Sequence, residues 1–330
     1  MQSITFNLKG HDLFIDAIKA YAIMWVLIGH FFPGTKYLLY PIWGGYEVPL
    51  FIIVQCFHFF KKDEPSLRIG RIFTRVILPF IYIQLFIVVI LFIGKGFSGL
   101  GEILSYFPQH GGYGQGDYYP FVYVQIALLL PVFYWVTNKI GDKKWTLFFL
   151  YLILCEGLEL FSSFLHIPDS VYRYLAFRYL FLVYFGWLWV KEGIKLDTNT
   201  LLLSLLSLLS IVFFAYIRKP CEPWFLDTVW AYHRWPCYFF VAELLVYILN
   251  KVWLWLSKYK SVVGAVSFLS IHTYDIFLAQ MVAYVIFPHE LFGFMPGIMA
   301  SMARFISATV FSLLFGWLIH IFLSKLHYSK

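Results

Sequence analysis

The sequence predicts an all-α, polytopic integral membrane protein: a helical bundle of about ten transmembrane helices with both termini in the cytoplasm. Apolar residues make up 61% of the 330-residue chain, and charged residues only 13%. Apolar runs recur along the whole length, each long enough to cross a hydrocarbon core of ~30 Å. Lysine and arginine cluster in alternate loops, as the positive-inside rule requires.

Windows of roughly 20 apolar residues place the spans in order along the chain. We expect a single transmembrane domain over residues 1–330 with no soluble appendage. The first apolar run is too long for a cleavable signal peptide, and no small-residue cleavage site follows it, so it is expected to remain as the first span. The predicted spans are 14–33, 42–60, 73–94, 120–137, 146–165, 174–191, 200–217, 236–256, 262–287 and 298–324.

The loops between these spans set the predicted topology. Basic residues follow the second, fourth, sixth and eighth spans and end the chain, which places these loops and both termini in the cytoplasm. The net charge of +7 is spread over these loops, so we expect the lipid bilayer of the inner (cytoplasmic) membrane as a partner and no nucleic acid. The residues are Lys61, Lys62, Arg68, Arg71, Arg75, Lys139, Lys143, Lys144, Lys191, Lys195, Lys251, Lys258, Lys260, Lys325 and Lys330.

The first span, FIDAIKAYAIMWVLIGH, carries Asp16 and Lys19 near its start and ends on His30. Lys19 and His30 are about three helical turns apart, so they lie on nearly one face, roughly 16 Å apart along the axis. An ionisable residue within a span indicates a functional site. His30 is a candidate general base, and Lys19 could bind a phosphate or orient Asp16. The alternative is a lysine that snorkels to the cytoplasmic surface and a histidine at the outer headgroups.

A second pattern lies in SLRIGRIFTRVILPF, where Arg68, Arg71 and Arg75 recur at i, i+3 and i+7 on one helical stripe. Guanidinium groups bind phosphates with paired hydrogen bonds, so this stripe suits a phosphorylated ligand such as coenzyme A. The alternative is topology, because any cytoplasmic loop collects arginine. Topology explains the number of arginines but not their shared face.

Other features narrow the chemistry. The chain has no GxSxG, Walker or HExxH motif and no Cys/His cluster, so hydrolase, ATPase and zinc peptidase activities are disfavoured and no metal is expected. Cys221 and Cys237 flank one loop and are either free thiols or a disulfide.

The stretch HGGYGQGDYYP (110–120) predicts a re-entrant or lid-like loop. Its Gly and Tyr residues suit either a sugar-binding surface or a belt of aromatic residues at the membrane interface. Lone polar residues in the spans are expected to pair internally: Glu47, Gln55, Gln125, Glu156, Glu159, Arg178, Glu243, Asp275 and Arg304.

These residues resemble the membrane-bound acyltransferase family 3, whose multi-span members O-acylate sugars and other cell-surface molecules. The family's first span has a basic residue, ten residues and then a histidine, which Lys19 and His30 match with Lys in place of the commoner Arg. Its third span opens with Arg-x-x-Arg, matched by Arg68 and Arg71, and Arg75 begins a family-like Arg-x-x-x-Pro. The likeness continues through later segments and covers nearly the whole chain: 48–57, 118–135, 172–190 and 266–280.

The second span departs from the family pattern. Members often have a Ser-Gly pair where this chain has Gln55 and Cys56. Many also have an acidic residue where this chain has Pro49, with Glu47 close by as a possible substitute.

The resemblance implies an acyl-CoA-dependent O-acyltransferase, most simply an O-acetyltransferase that moves acetyl from acetyl-CoA to a hydroxyl of a cell-surface polysaccharide or lipid-linked sugar. Under this hypothesis His30 is the general base or itself accepts the acyl group, and Lys19 assists. Arg68, Arg71 and Arg75 would bind the phosphates of the donor. The rival hypothesis is a transporter or flippase for a polysaccharide or its lipid-linked precursor, which lacks support from any internal repeat. A membrane scaffold without chemistry would leave Lys19 and His30 unexplained.

Overall fold

A computed structural model describes residues 3–4, 11–33, 40–62, 65–99, 101, 104–105, 112–217 and 232–328. Over these residues the protein is a bundle of α-helices with a single pair of two-residue strands, which confirms the predicted all-α polytopic class. Besides the short helical turn Asp169–Tyr172, the helices, numbered in chain order, are α1 (Leu13–Phe31), α2 (Tyr40–Trp43), α3 (Glu47–Phe60), α4 (Ile69–Lys95), α5 (Tyr119–Ile140), α6 (Lys144–Phe164), α7 (Leu182–Glu192), α8 (Thr198–Ile217), α9 (Trp235–Leu256), α10 (Lys260–Ile271), α11 (Thr273–Ile286) and α12 (Gly297–Tyr328).

The first helix shows how local sequence sets these limits. The side chain of Asp12 caps α1 by accepting a hydrogen bond from the amide of Phe14 at 2.9 Å, which satisfies a donor that the first helical turn leaves unpaired. Phe32 is extended, and Pro33 follows it, so the helix ends at Phe31, one residue after His30. The apolar residues between these limits fill the centre of the bundle.

The structure differs from the predicted count of spans in one place. Within the described residues, eight helices are long and apolar enough to cross a membrane, or nine if α10 and α11, bent by 72° at His272, count as one span. The predicted span 174–191 is instead a 3₁₀ turn, Phe177–Tyr179, followed by the 11-residue α7. At 1.5 Å per residue α7 is about 16 Å long. Residues 182–189 are buried on every side, so their hydrophobicity serves the protein core and not the lipid.

A close helix crossing holds α7 in the centre. A Cβ on Gly186 would lie 2.3 Å from the Cβ of Cys56 in α3, so only glycine permits this approach. Further along α7, Trp189 donates an indole hydrogen bond to the carbonyl of Ala242 at 3.1 Å. In the second span, the Gln55-Cys56 pair therefore lies against α7 at Gly186, where the absence of a side chain leaves room for Cys56.

The N-terminus and the loops that the charge pattern assigns to the cytoplasmic side lie close together in the structure. Strand β1 (Ser3–Ile4) pairs antiparallel with β2 (Ile194–Lys195), which joins the N-terminus to the loop after α7. Lys144 lies 3.2 Å from Glu192, and Lys191 lies 3.1 Å from Asp142, so the loops after α5 and α7 meet. The cytoplasmic assignment of this face stays a prediction. Cys237 is a buried free thiol, whereas Cys221 lies outside the described residues.

Candidate active site

His30 lies in the last turn of α1, where its ring faces α11. Its Nδ1 lies 2.7 Å from Oε1 of Gln280. The amide nitrogen of Gln280 donates to the carbonyl of Gln115 at 2.5 Å. Because a backbone carbonyl only accepts, the Gln280 amide must present its nitrogen to Gln115 and its oxygen to His30. His30 is then protonated at Nδ1, which leaves the lone pair on Nε2, the arrangement of a base.

The loop of residues 112–118, which we call the glycine loop, carries Gln115 into the bundle. Gly114 has φ +116, and a Cβ there would lie 2.8 Å from the Cβ of Met281 on α11. Only glycine adopts this backbone at such close approach. The side chain of Gln84 fixes the neighbouring residue, since its Oε1 accepts from the amide of Tyr113 at 2.7 Å. This part of the predicted re-entrant loop therefore does fold inward, and it lies against the partner of His30.

A carboxyl group ends the glycine loop. Asp117 is buried and accepts a hydrogen bond from the hydroxyl of Tyr174 at 3.3 Å, with the guanidinium of Arg173 at 3.8 Å. Burial raises the pKa of Asp117 from its ordinary 3.8 to about 7, although Arg173 and Tyr174 oppose the shift. Asp117 therefore changes charge near neutral pH.

The polar contacts continue from the glycine loop across the same end of the bundle. Tyr172 donates to Glu159 at 2.5 Å. Arg234 then pairs with Glu156 at 2.7 Å and with Glu159 at 3.1 Å. These contacts give partners to two of the lone acidic residues in the predicted spans, and Arg178 lies over the rings of Tyr172 and Tyr179. We call the set the histidine-end network: His30, Gln280, Gln115, Asp117, Arg173, Tyr174, Tyr172, Glu159, Glu156 and Arg234.

Lys19 lies on α1 away from His30 and takes part in a separate ion pair. Its Nζ is 3.2 Å from Oδ1 of Asp16, which is buried. Asp16 also accepts from the hydroxyl of Ser270 on α10 at 2.5 Å and lies 2.8 Å from Nε2 of His11. Of the two roles predicted for Lys19, this geometry fits the orientation of Asp16. The pair ties the start of α1 to α10.

Arg68, Arg71 and Arg75 line one cavity of about 250 Å³ at the start of α4, which we call the arginine cavity. A π-helical turn, Phe73–Ile77, intervenes, yet all three side chains reach the cavity and are exposed. Among the described residues, no carboxylate oxygen lies within 4.0 Å of them. Lys62 lines the same cavity, and desolvation together with the charges of Arg68 and Arg71 lowers its pKa.

A larger cavity of about 670 Å³, the central cavity, adjoins the arginine cavity. The two share Arg75, Val76 and Tyr123 in their walls. The central cavity extends to Tyr119, whose ring lies 5.1 Å from that of Phe277 on α11. Phe277 is one helical turn before Gln280. The cavities thus run from the arginines to Tyr119, and the ring of Phe277 lies between Tyr119 and the turn of α11 that carries Gln280.

The structure therefore brings the three predicted arginines together and separates Lys19 from His30. It also adds residues that the sequence did not single out for a role. Gln280 lies 250 positions from His30, so no local spacing could reveal the pair. His58 lines the arginine cavity, and His272 and His320 lie beside Asp275 next to the central cavity. A signal existed only for His272 and Asp275, which are spaced i, i+3 at a helix start.

The class of protein follows from a family comparison that agrees with this architecture: it is a multi-pass membrane acyltransferase. The chain belongs to acyltransferase family 3, because the family model, described as an acyltransferase domain, matches residues 12–321. The match includes every residue of the histidine-end network and all three arginines. No curated protein and no solved structure matches the chain.

Proposed function

We propose that the protein transfers an acyl group, most simply acetyl, from acyl-CoA to a hydroxyl of a cell-surface polysaccharide or lipid-linked sugar. The observation that carries the proposal is the pair of adjoining cavities. They lead from a cluster of exposed arginines to Tyr119, which packs against Phe277, one helical turn from the Gln280 that contacts His30. A donor with a phosphorylated head and a long arm fits this arrangement.

The arginine cavity supports the binding of the donor's phosphates. Arg68, Arg71, Arg75 and Lys62 put four cations around about 250 Å³. No carboxylate of the described residues neutralises these guanidinium groups, so they are available for bidentate contacts with phosphate oxygens. The arm of coenzyme A would then pass Arg75 and Tyr123 into the central cavity, towards the level of His30.

His30 supports the chemical step. A hydroxyl is a weak nucleophile, so it needs a base as it attacks the thioester carbonyl. Nε2 of His30 would take the hydroxyl proton while the new ester C–O bond forms. The C–S bond then breaks, and the imidazolium returns the proton to the coenzyme A thiolate. Transfer through an acyl-His30 intermediate uses the same nitrogen and remains the second form of the proposal.

The glycine loop supports an acceptor on the side of the bundle that carries the histidine-end network. It places Tyr113 and the carboxyl of Asp117 close to the residues that contact His30. Tyrosine rings stack on sugar rings, and a carboxyl group can bind sugar hydroxyls. Lys19 holds Asp16 in this proposal and so supports the position of α1.

The proposal is tested with the full-length protein purified in detergent. Binding of coenzyme A is measured by calorimetry, and transfer of radiolabelled acetyl from acetyl-CoA is measured with membrane polysaccharide or lipid-linked sugars as acceptors. We expect saturable binding and labelled acceptor that depends on His30. If coenzyme A binds but no sugar is acylated, the proposed donor site stands and the proposed class of acceptor, a sugar hydroxyl, is refuted. No binding of coenzyme A, together with movement of a lipid-linked sugar in proteoliposomes, would favour the flippase.

A further inference from the structure

Three side chains with metal-binding atoms meet at the edge of the central cavity. His272 lies at the break between α10 and α11, Asp275 lies in the first turn of α11, and His320 lies near the end of α12. One nitrogen or carboxylate oxygen from each residue lies within 4.8 Å of the other two. Asp275 and His320 line the central cavity themselves. These residues take no part in the acyl-transfer proposal.

The geometry of the cluster is close to that of a three-ligand site. Two ligands about 2.1 Å from a tetrahedral ion are roughly 3.4 Å apart. Nδ1 of His320 is 2.9 Å from Oδ2 of Asp275, and the rings of His272 and His320 are 4.4 Å apart between centroids. All separations lie within 4.8 Å, so none would have to shrink by more than about 1.4 Å.

His272 supplies an independent sign that a ligand is expected. The residue is 8% exposed, and its Nδ1 is buried without a hydrogen-bond partner among the described residues. A buried polar atom of this kind is costly, and native structures rarely leave one unsatisfied. His272 and Asp275 are three residues apart, so the start of α11 presents both on one face. The partner helix α12 completes the set with His320.

We propose that His272, Asp275 and His320 bind a divalent transition-metal ion of the zinc class. Two imidazoles and one carboxylate are a donor set that suits Zn²⁺ and Co²⁺. Three protein ligands leave at least one coordination position open, and the central cavity lies beside it. Arg75 lines this cavity too, so an anionic group is the favoured fourth ligand. The ion would also fasten the bend between α10 and α11 to α12.

Metal binding is measured on the full-length protein in detergent, purified with a tag that contains no histidine and stripped with a chelator. Co²⁺ is titrated and followed by its visible absorption, and Zn²⁺ is then added to displace it. We expect one equivalent of Co²⁺ per chain, bands of four- or five-coordinate Co²⁺, and their loss with Zn²⁺. Asp275→Asn, His272→Gln and His320→Gln should each weaken Co²⁺ binding at least tenfold.

Two control variants separate ligation from the general effects of substitution. Ser324→Ala alters the wall of the central cavity without removing a ligand, and His58→Gln removes a histidine from the neighbouring arginine cavity. Both should bind Co²⁺ as the unaltered protein does. Asp275→Asn keeps the shape of the side chain and can still accept from His320, so it should remain folded, which gel filtration and thermal unfolding would check. Absence of a saturable Co²⁺ signal, or a signal equal in Asp275→Asn, would overturn the metal site and leave the acyl-transfer proposal untouched.

Discussion

At the arginine end of the bundle, Arg68, Arg71 and Arg75 stand exposed around a cavity, and the described residues offer them no carboxylate. At the histidine end, His30 contacts Gln280, and the polar contacts continue through Asp117 to Arg234. The first arrangement leaves charge available for a ligand that brings its own negative charge. The second uses internal hydrogen bonds to fix the orientation and tautomer of His30, the proposed base. The difference suits binding at one end and chemistry at the other.

Among the variants that test this separation of binding from chemistry, His30→Ala should have the largest effect. Without Nε2 as a base, acyl transfer should fall by about 10²–10⁴-fold, while binding of coenzyme A at the arginine end stays unchanged. His30→Asn is the matched variant, because its amide can donate to Gln280 but cannot take a proton. Steady-state transfer and calorimetric donor binding measure the two quantities. Equal loss of binding and transfer would mean that the two ends are not separate.

Gln280→Leu should have the next largest effect. The substitution removes the acceptor that holds the proton on Nδ1 of His30 and also leaves the carbonyl of Gln115 without its partner. We expect kcat to fall by about 10–10²-fold, less than the loss of the base itself, with the donor KM unchanged. Met281→Leu is the control, because it nearly conserves volume at the adjacent contact with the glycine loop. A normal kcat for Gln280→Leu would show that Gln280 does not position the base.

Arg68→Ala and Arg71→Ala should act at the opposite end with smaller effects. Each removes one charge-assisted phosphate contact from a solvent-exposed site, so the donor KM should rise by about three- to tenfold with little change in kcat. Lysine at either position should restore part of the affinity, because it keeps the charge and loses the paired geometry. Raised salt should weaken donor binding. Lys95→Ala removes a cation from the far end of α4 and should leave the KM unchanged; a similar rise there would point to net charge alone.

Asp117→Asn should have the smallest effect, on stability and not on donor binding. The folded protein holds the Asp117 proton up to about pH 7, whereas the unfolded chain releases it near 3.8. Between these values the folded state binds more protons, so the free energy of unfolding from this group falls as pH rises and then levels off above about pH 7. Thermal unfolding over this range should show a shallower pH dependence in Asp117→Asn. If Asp117→Asn and the unaltered protein show the same pH dependence, a group other than Asp117 titrates over this range.

Much of the fold could be predicted because hydrophobicity and charge alternation are local properties of the sequence. The arginine stripe is of the same kind, since helical spacing alone groups Arg68, Arg71 and Arg75, and the structure places them on one cavity. The span 174–191 was mispredicted because an apolar run looks the same whether lipid or protein surrounds it. The placement of α7 depends on contacts such as Gly186 with Cys56, which join distant parts of the chain.

The sequence predicted some residues of the candidate site but not their contacts, because these contacts also join distant parts of the chain. His30 and the family pattern pointed to a base, but its orientation depends on Gln280 and Gln115, and neither lies near it in sequence. Lys19 shares a predicted stripe with His30, yet its ion pair is made within its own first turns. His320 lies 45 residues from Asp275, so only the packing of α11 against α12 brings the proposed metal ligands together.

The enclosure of α7 has a consequence for the biogenesis of the protein. An 11-residue helix about 16 Å long cannot partition into a bilayer on its own, because the hydrocarbon layer is about 30 Å thick. Its insertion must therefore depend on helices that surround it, including α3 before it and α9 after it in the chain. Assembly of this bundle thus cannot be completed strictly in the order of the sequence.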